Sequence, residues 1–317
     1  MNVRPDLGRW LTEHHAVMDG DALLCRVPHT ALDWTMLEEI IQHPLTSEGA
    51  MSEAQQESAP VHSLTLDSLV PEPIQRRFEV RAQINPGARA VKFGDDELTY
   101  GELDSQADSL AAILQDQGLA PREVCAVLMP VSLAMVRAIL AVLKAGGVCL
   151  MLDPLNDCTR LAAALRAAGA RTVIAQRAEL PCCAGIGANV VCCDDNDDDD
   201  DACHAHWPDD CKSDGVSPAC AVCRDAGSDA PSVVFQQHID VLDRLESMQA
   251  MAPIGQGDSL LQDVEHVFDE AVWQSLWPLT QGARLVIVPQ RERMSLESVR
   301  RLIEREHITV MHVHFRG

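Results

Sequence analysis

Between Glu123 and Asp153 the chain reads EVCAVLMPVSLAMVRAILAVLKAGGVCLMLD, and its hydrophobic period changes twice. Val124 to Met129 is a short apolar run with β-branched members, of the length of a buried strand. From Ser132 to Lys144, Leu133, Val136, Ile139, Leu140 and Leu143 share a helical face, with Arg137 and Lys144 off it. Ala145-Gly146-Gly147 stops that helix, because glycine takes the left-handed position after a helix without a Cβ clash. Val148 to Leu152 is again a continuous apolar strand, so the stretch predicts a βαβ unit with the crossover a parallel pair needs.

The same alternation continues on both sides. Ala88–Phe93 and Glu97–Tyr100 flank Gly94-Asp95-Asp96 as a hairpin, and Thr99 caps a helix running to Gln117. Thr159–Ala168 is a helix and Arg171–Gln176 a strand. Further on, helices are predicted at His238–Met251, Asp269–Trp277 (ended by Pro278) and Ser295–Glu306. Strands are predicted at Ser259–Gln262, Ala283–Val288 and Ile308–His312. Leu- and Val-rich strands alternating with helices imply an α/β fold with doubly wound, largely parallel sheets. The pattern lapses between 181 and 230, where Cys, Asp, His and Gly dominate, and is weak over residues 1–68.

Composition narrows the classes. The chain has 317 residues, 47% of them hydrophobic, so it has ample material for a large core. Its net charge of −23 argues against nucleic acid or an anionic membrane as partner. Asp194 to Asp214 holds ten Asp and one Lys, concentrating much of that charge in one segment. The N-terminus has no apolar signal region, which predicts a cytoplasmic protein whose cysteines are reduced thiols or metal ligands. Residues 124–152 are apolar, but Arg137, Lys144, Gly146 and Gly147 interrupt them, and the βαβ reading replaces a membrane span.

Leu143-Lys-Ala-Gly-Gly-Val-Cys-Leu-Met-Leu-Asp-Pro154 resembles a core motif of nonribosomal peptide synthetase adenylation domains, within the adenylate-forming, AMP-binding superfamily. Leu98-Thr-Tyr-Gly-Glu-Leu103 resembles the motif preceding it. Further likeness lies in Gln236-Gln-His-Ile239, Phe268-Asp-Glu-Ala-Val-Trp-Gln-Ser-Leu-Trp-Pro-Leu279 and Gly282-Ala-Arg-Leu-Val286, with Pro71–Arg81 suiting the helix that opens such a domain. The resemblance implies a partial adenylation domain over residues 69–317, incomplete at its C-terminal side, with a Cys/Asp-rich insert at 181–230. It also implies a condensation-domain remnant or linker over 1–68, including a helix near Trp34–Gln42. The implied activity is that of a ligase in secondary-metabolite synthesis, using ATP and Mg to activate an amino acid, with synthetase domains or a carrier protein as partners.

The same resemblance sorts the site residues. Asp269 stands where the family's aspartate pairs with the substrate ammonium group, a charge-assisted contact stronger than a neutral one. Glu270 and Trp273 match pocket-lining positions, and a carboxylate at Glu270 points to a basic or polar substrate side chain. Asp269 as a plain helix cap is the competing reading. The family's phosphate loop ends in Pro-Lys-Gly. Here Pro231 is kept, but Ser232 and Val233 replace the lysine and glycine, and Asp225 and Asp229 add like charge. Gly227 and Ser228 are the remnants of a cofactor-binding loop, and after Val310 neither the ribose-holding aspartate nor the subdomain with the catalytic lysine can be placed. No catalytic residue is therefore assigned, and adenylation is expected to be impaired or lost.

Two alternatives stay open. One is a non-catalytic module that docks onto a synthetase partner. The other is zinc binding by the insert: eight of twelve cysteines fall between Cys182 and Cys223, Cys220-Ala-Val-Cys223 has ligand spacing, and Cys203, His204, His206 and Cys211 could complete a site. Asp194–Asp201 lacks the glycine and ligand spacing of an EF-hand loop.

Overall fold

A computed structural model describes residues 16–19, 22–27, 72–184, 187–194, 214–224, 231–262, 269–288 and 296–314. In chain order these form β1 (Val17–Asp19), β2 (Ala22–Arg26), α1 (Ile74–Ile84), β3 (Arg89–Phe93), β4 (Asp96–Thr99), α2 (Tyr100–Asp116), β5 (Val124–Leu128) and α3 (Leu133–Lys144). There follow β6 (Val148–Leu152), α4 (Cys158–Ala168), β7 (Thr172–Ala175), α5 (Leu180–Cys183), β8 (Asn189–Cys192), β9 (Pro218–Arg224), β10 (Ser232–Gln237) and α6 (His238–Met251). The last are β11 (Ser259–Gln262), α7 (Asp269–Gln281), β12 (Arg284–Ile287), α8 (Leu296–Glu306) and β13 (Val310–His314).

The strands make two mainly parallel sheets. One has the order β1-β2-β13-β11-β12-β3-β4 and the other β10-β9-β6-β5-β7-β8. In the second, β5 pairs in parallel with β6 (Val124↔Val148) and with β7 (Cys125↔Thr172), as the βαβ reading requires. All five residues of β5 are buried. Cys125 and Val127 point into the larger core, whereas Val124, Ala126 and Leu128 point into a second core beneath Leu161, Ala164 and Leu165 of α4. That alternation is the period-2 geometry of a strand covered on both faces.

α3 is the helix between the layers. It contacts β5 and β6 of one sheet and β3 of the other, besides α1 and α2. Ser132 caps its start by accepting from the Met135 N–H at 3.2 Å. Its end is a Schellman turn: the Gly147 N–H reaches the Val142 carbonyl at 2.9 Å and the Gly146 N–H the Leu143 carbonyl at 3.1 Å. Gly146 has φ +75°, which strains any other residue, and a Cβ on Gly147 would sit tightly, 3.3 Å from the Glu123 carbonyl.

Every residue of α3 is buried, and this corrects the placing of Arg137 and Lys144 off the packed face. Lys144 Nζ lies 2.7 Å from Asp104, 2.6 Å from Asp108 and 3.7 Å from Glu79, tying α3 to α2 and α1. Burial pulls its ammonium pKa down, but the charges of Asp104 and Asp108 outweigh that and the net shift is upward. Arg137 donates to the Gln106 amide oxygen at 3.3 Å, to Cys193 Sγ at 3.0 Å and to the Asp194 carbonyl.

Other expectations shift. Pro278 lies inside α7, which runs on to Gln281. The Pro278 carbonyl still accepts from the Ala283 N–H at 2.9 Å, and the Tyr100 hydroxyl bonds the Leu279 and Ala283 carbonyls at 3.1 and 2.7 Å. Packing thus carries the helix past a residue that breaks isolated ones. The last strand sits two residues later than predicted, and the insert region contributes α5, β8, β9 and part of the hairpin ending in β10. The predicted helix near Trp34–Gln42 lies outside the described residues.

Lys144→Met leaves Asp104 and Asp108 facing each other without a counter-charge. It is expected to lower the urea-unfolding free energy by about 3 kcal/mol, and a Lys144→Met, Asp104→Asn, Asp108→Asn triple variant should recover most of the loss.

Candidate functional site

In open α/β sheets, loops at the carboxyl ends of parallel strands carry ligands. Both predicted site segments leave the sheets there. β11 runs parallel to β12 and β13, and the connection after its last residue, Gln262, leads into α7. Asp269 and Glu270 are the first two residues of α7, with Trp273 one turn further on. Spacings of four and three residues bring positions 269, 270 and 273 onto neighbouring parts of one helix surface. The unpaired N–H groups and dipole of a helix start favour negative charge, so this end suits carboxylates. Trp273 is buried, and the Arg244 guanidinium of α6 sits 5.0 Å from its ring centroid. Gln262 and Ser275, both buried, meet beneath the helix start, with Gln262 Nε2 donating to Ser275 Oγ at 3.4 Å. Sequence reasoning did not single out that pair, because a Gln ending a strand carries no motif.

The second segment is the β9–β10 hairpin. β9 is parallel to β6, so Arg224 ends it at the carboxyl edge of the six-stranded sheet. Gly227 and Ser228 lie outside the described residues, in the connection that follows Arg224. On the return strand Ser232 pairs with Arg224 and Val233 with Cys223. Val233 packs against the second core, where a glycine would leave room. From Asp225 to Gln237 the sequence holds no Lys or Arg.

The hairpin is tied down by His238, the first residue of α6. Its backbone N–H bonds the Ser217 carbonyl at 3.1 Å, and its Nδ1 accepts from the Ile74 N–H at 3.2 Å. The ring is wholly buried and therefore neutral, with the proton on Nε2. Burial drops its pKa from 6.5 to about 4, with the Asp214 charge opposing weakly.

The cysteine readings change with the fold. Cys220 and Cys223 both lie in β9, three residues apart. An odd spacing in a strand directs side chains to opposite faces, so this pair cannot grip one ion. Among the described residues no group of three or more His, Cys, Asp or Glu is arranged to hold a metal, while Cys203, His204, His206 and Cys211 lie outside them. Cys192, the last residue of β8, and Cys193 just after it line a shallow cleft with Gln106, Ser109, Leu110, Ile113 and Arg137. No helix among the described residues is long and apolar enough to cross a membrane.

Comparison with known proteins places this geometry. The family described as AMP-binding enzyme matches residues 78–314. The chain is 29% identical to a dimodular nonribosomal peptide synthase of Bacillus subtilis over 245 residues, which is 75% of this chain and 10% of that protein. It is 35% identical to the phosphinothricin tripeptide synthetase PhsB of Streptomyces viridochromogenes over 243 residues, 74% of this chain and 20% of that one. The nonribosomal peptide synthetase FmoA3 in its AMPPNP-bound form superposes with a TM-score of 0.68 at 25% identity, covering 78% of this chain and 26% of that chain. The chain thus spans well under half the length of these relatives.

The depressed pKa of His238 has a readable consequence. Between pH 6.5 and about 4 the unfolded chain binds a proton at this position that the folded chain refuses. The associated stability is complete above pH 6.5 and is lost as pH falls toward 4, by about 3 kcal/mol in full. His238→Gln should flatten that part of the stability–pH profile relative to the parent chain, measured by urea unfolding at each pH.

Proposed function

The chain belongs to the AMP-binding enzyme family, as an adenylation N-terminal subdomain of the nonribosomal peptide synthetase type, and from that premise we propose that it keeps the amino-acid-recognising half of the family's chemistry while ATP-dependent adenylation is impaired or lost. Recognition falls to the start of α7. There Asp269 would pair with a substrate ammonium group, Glu270 would favour a basic or polar side chain, and Trp273 would wall the pocket. A backbone of buried residues behind the helix start, from Val272 to Thr280, holds these positions fixed.

The observation that carries the loss is the base of the β9–β10 hairpin. Adenylation moves negative charge onto phosphoryl oxygens, and a fixed cation there lowers the barrier. Ser232 and Val233 stand in register with Arg224 and Cys223 and offer no ammonium, while the connection between the strands contributes Asp225 and Asp229. This set lacks the ammonium expected beside the transferred phosphoryl group, so no phosphoryl step is assigned to it. In the proposed division of the chain, residues 69–317 are the adenylation-type part with its insert at 181–230, and residues 1–68 are a condensation-type tail or linker. Supporting a docking role onto synthetase domains or a carrier protein as a second reading, edge strand β10 exposes an apolar side chain on each face, Val234 and Phe235.

Amino-acid-dependent exchange of pyrophosphate into ATP tests the proposal. Every amino acid of the panel should leave exchange at background, since removing one charge-stabilising donor alone costs about 10²–10³ in rate. An amino acid with a basic or polar side chain should nevertheless raise the melting temperature, and Asp269→Asn should abolish that rise. Exchange above background with any amino acid would overturn the assigned loss; no ligand-induced rise with any of them would overturn the recognition.

A further inference from the structure

Beyond β13 the seven-stranded sheet continues with strands that its parallel order does not provide, β2 and then β1. β3, β12, β11 and β13 run parallel, and a further crossover would add another parallel strand beyond β13. That edge is instead taken by β2, antiparallel, in a five-pair register from Val310↔Arg26 to His314↔Ala22. The Val27 N–H extends the ladder to the Thr309 carbonyl at 3.0 Å. Residues 22–27 lie outside the span matched by the family, which begins at 78.

β2 does not merely lie along a rim. Leu24 is 1% and Cys25 0% exposed, and neighbours in a strand face opposite sides, so the strand is covered on both faces. Leu24 belongs to the main core, and burial lifts the Cys25 thiol pKa to about 12. The end of the strand is clamped by charge: Arg26 Nη1 meets Asp258 Oδ1 at 2.6 Å, and Nη2 donates to the Pro253 carbonyl at 2.5 Å. Asp258 is held in place without Arg26. Its Oδ1 accepts the Thr309 hydroxyl at 2.8 Å and its Oδ2 the Gly255 N–H at 3.0 Å. The acceptor side is therefore built from residues inside the family match, and the donor comes from outside it.

We propose that the outer edge of β13, with Asp258 as its ionic socket, is a binding site for one extended segment of apolar–apolar–basic pattern, and that Leu24-Cys25-Arg26 of this same chain occupies it as an exchangeable strand. Main-chain pairing supplies the affinity, and the buried Leu24 and the Arg26–Asp258 contact supply register and direction. A bare β13 would expose a row of backbone donors and acceptors, which invites pairing with other chains. The tethered hairpin closes that edge, so an incoming strand has to compete with a neighbour at high effective concentration.

The test uses the full chain, an Arg26→Ala variant and a Leu24→Asp variant, with a fluorescein-labelled synthetic peptide of residues 16–28 as probe. Both variants should bind the peptide at least tenfold more tightly than the parent chain, whose site is already filled. A peptide carrying Arg26→Ala, or a chain carrying Asp258→Asn together with Arg26→Ala, should weaken that binding at least tenfold. Amide exchange at Val310 and Met311 should speed up in the variants and slow again on adding peptide. Exchange within β5 and β6 reports that each variant is still folded, so an unfolded Leu24→Asp chain leaves Arg26→Ala to decide. The proposal is overturned if folded Arg26→Ala chain ignores the peptide, if the parent binds it equally well, or if binding is indifferent to Asp258.

Discussion

The constraint on which the structure turns is that α3 is buried all round yet carries two cations. A helix covered on every side normally presents apolar residues alone, because an unpaired buried charge costs several kcal/mol. Arg137 and Lys144 are two turns apart and are both buried, so each has to meet its partners inside the protein. Lys144 meets Asp104, Asp108 and Glu79, which fixes α1 and α2 over one end of the helix. Arg137 meets Gln106, Cys193 and the Asp194 carbonyl, which draws the end of β8 toward α2. Apolar packing alone would tolerate sliding of these elements; two directional polar clusters do not.

That constraint was only half legible in the sequence. The strand–helix–glycine–strand order was, because each piece has a distinct period, and its boundaries fall within a residue of those read from the pattern. Periodicity places Arg137 and Lys144 off the packed face because it assumes a helix with one wet side, whereas here α1 and α2 cover that side. β9 and β10 escaped for a different reason. Pro218-Ala-Cys-Ala-Val-Cys is apolar but short, and it stands beside a run of aspartates that resembles a loop. Once paired with β6 and β10 it is an ordinary strand, and the CxxC spacing loses its meaning because its two thiols point apart.

Of the candidate site, the helix that carries it was legible. Asp269, Glu270 and Trp273 are placed by helical spacing at the head of α7 whatever the substrate is. The packing of Trp273 under Arg244 and the Gln262–Ser275 contact were invisible, since both depend on which helix and strand lie alongside. The strand pairing of residues 22–26 was invisible too: a five-residue strand far from its partner in sequence leaves no local signal.

Depth separates the groups that fix this scaffold from the residues at its sheet edges. The groups that fix the fold lie between the sheets: the Lys144 cluster, the Tyr100 hydroxyl on the Leu279 and Ala283 carbonyls, and His238 joining α6 to α1. The β9–β10 connection follows a carboxyl edge, and its two strands are held by their own register and by Val233 in the second core. Exchanging an ammonium for Ser232 at that edge removes no buried partner and opens no cavity, so stability does not resist the change. The residues that fix the fold and those of the β9–β10 connection are thus different residues at different depths.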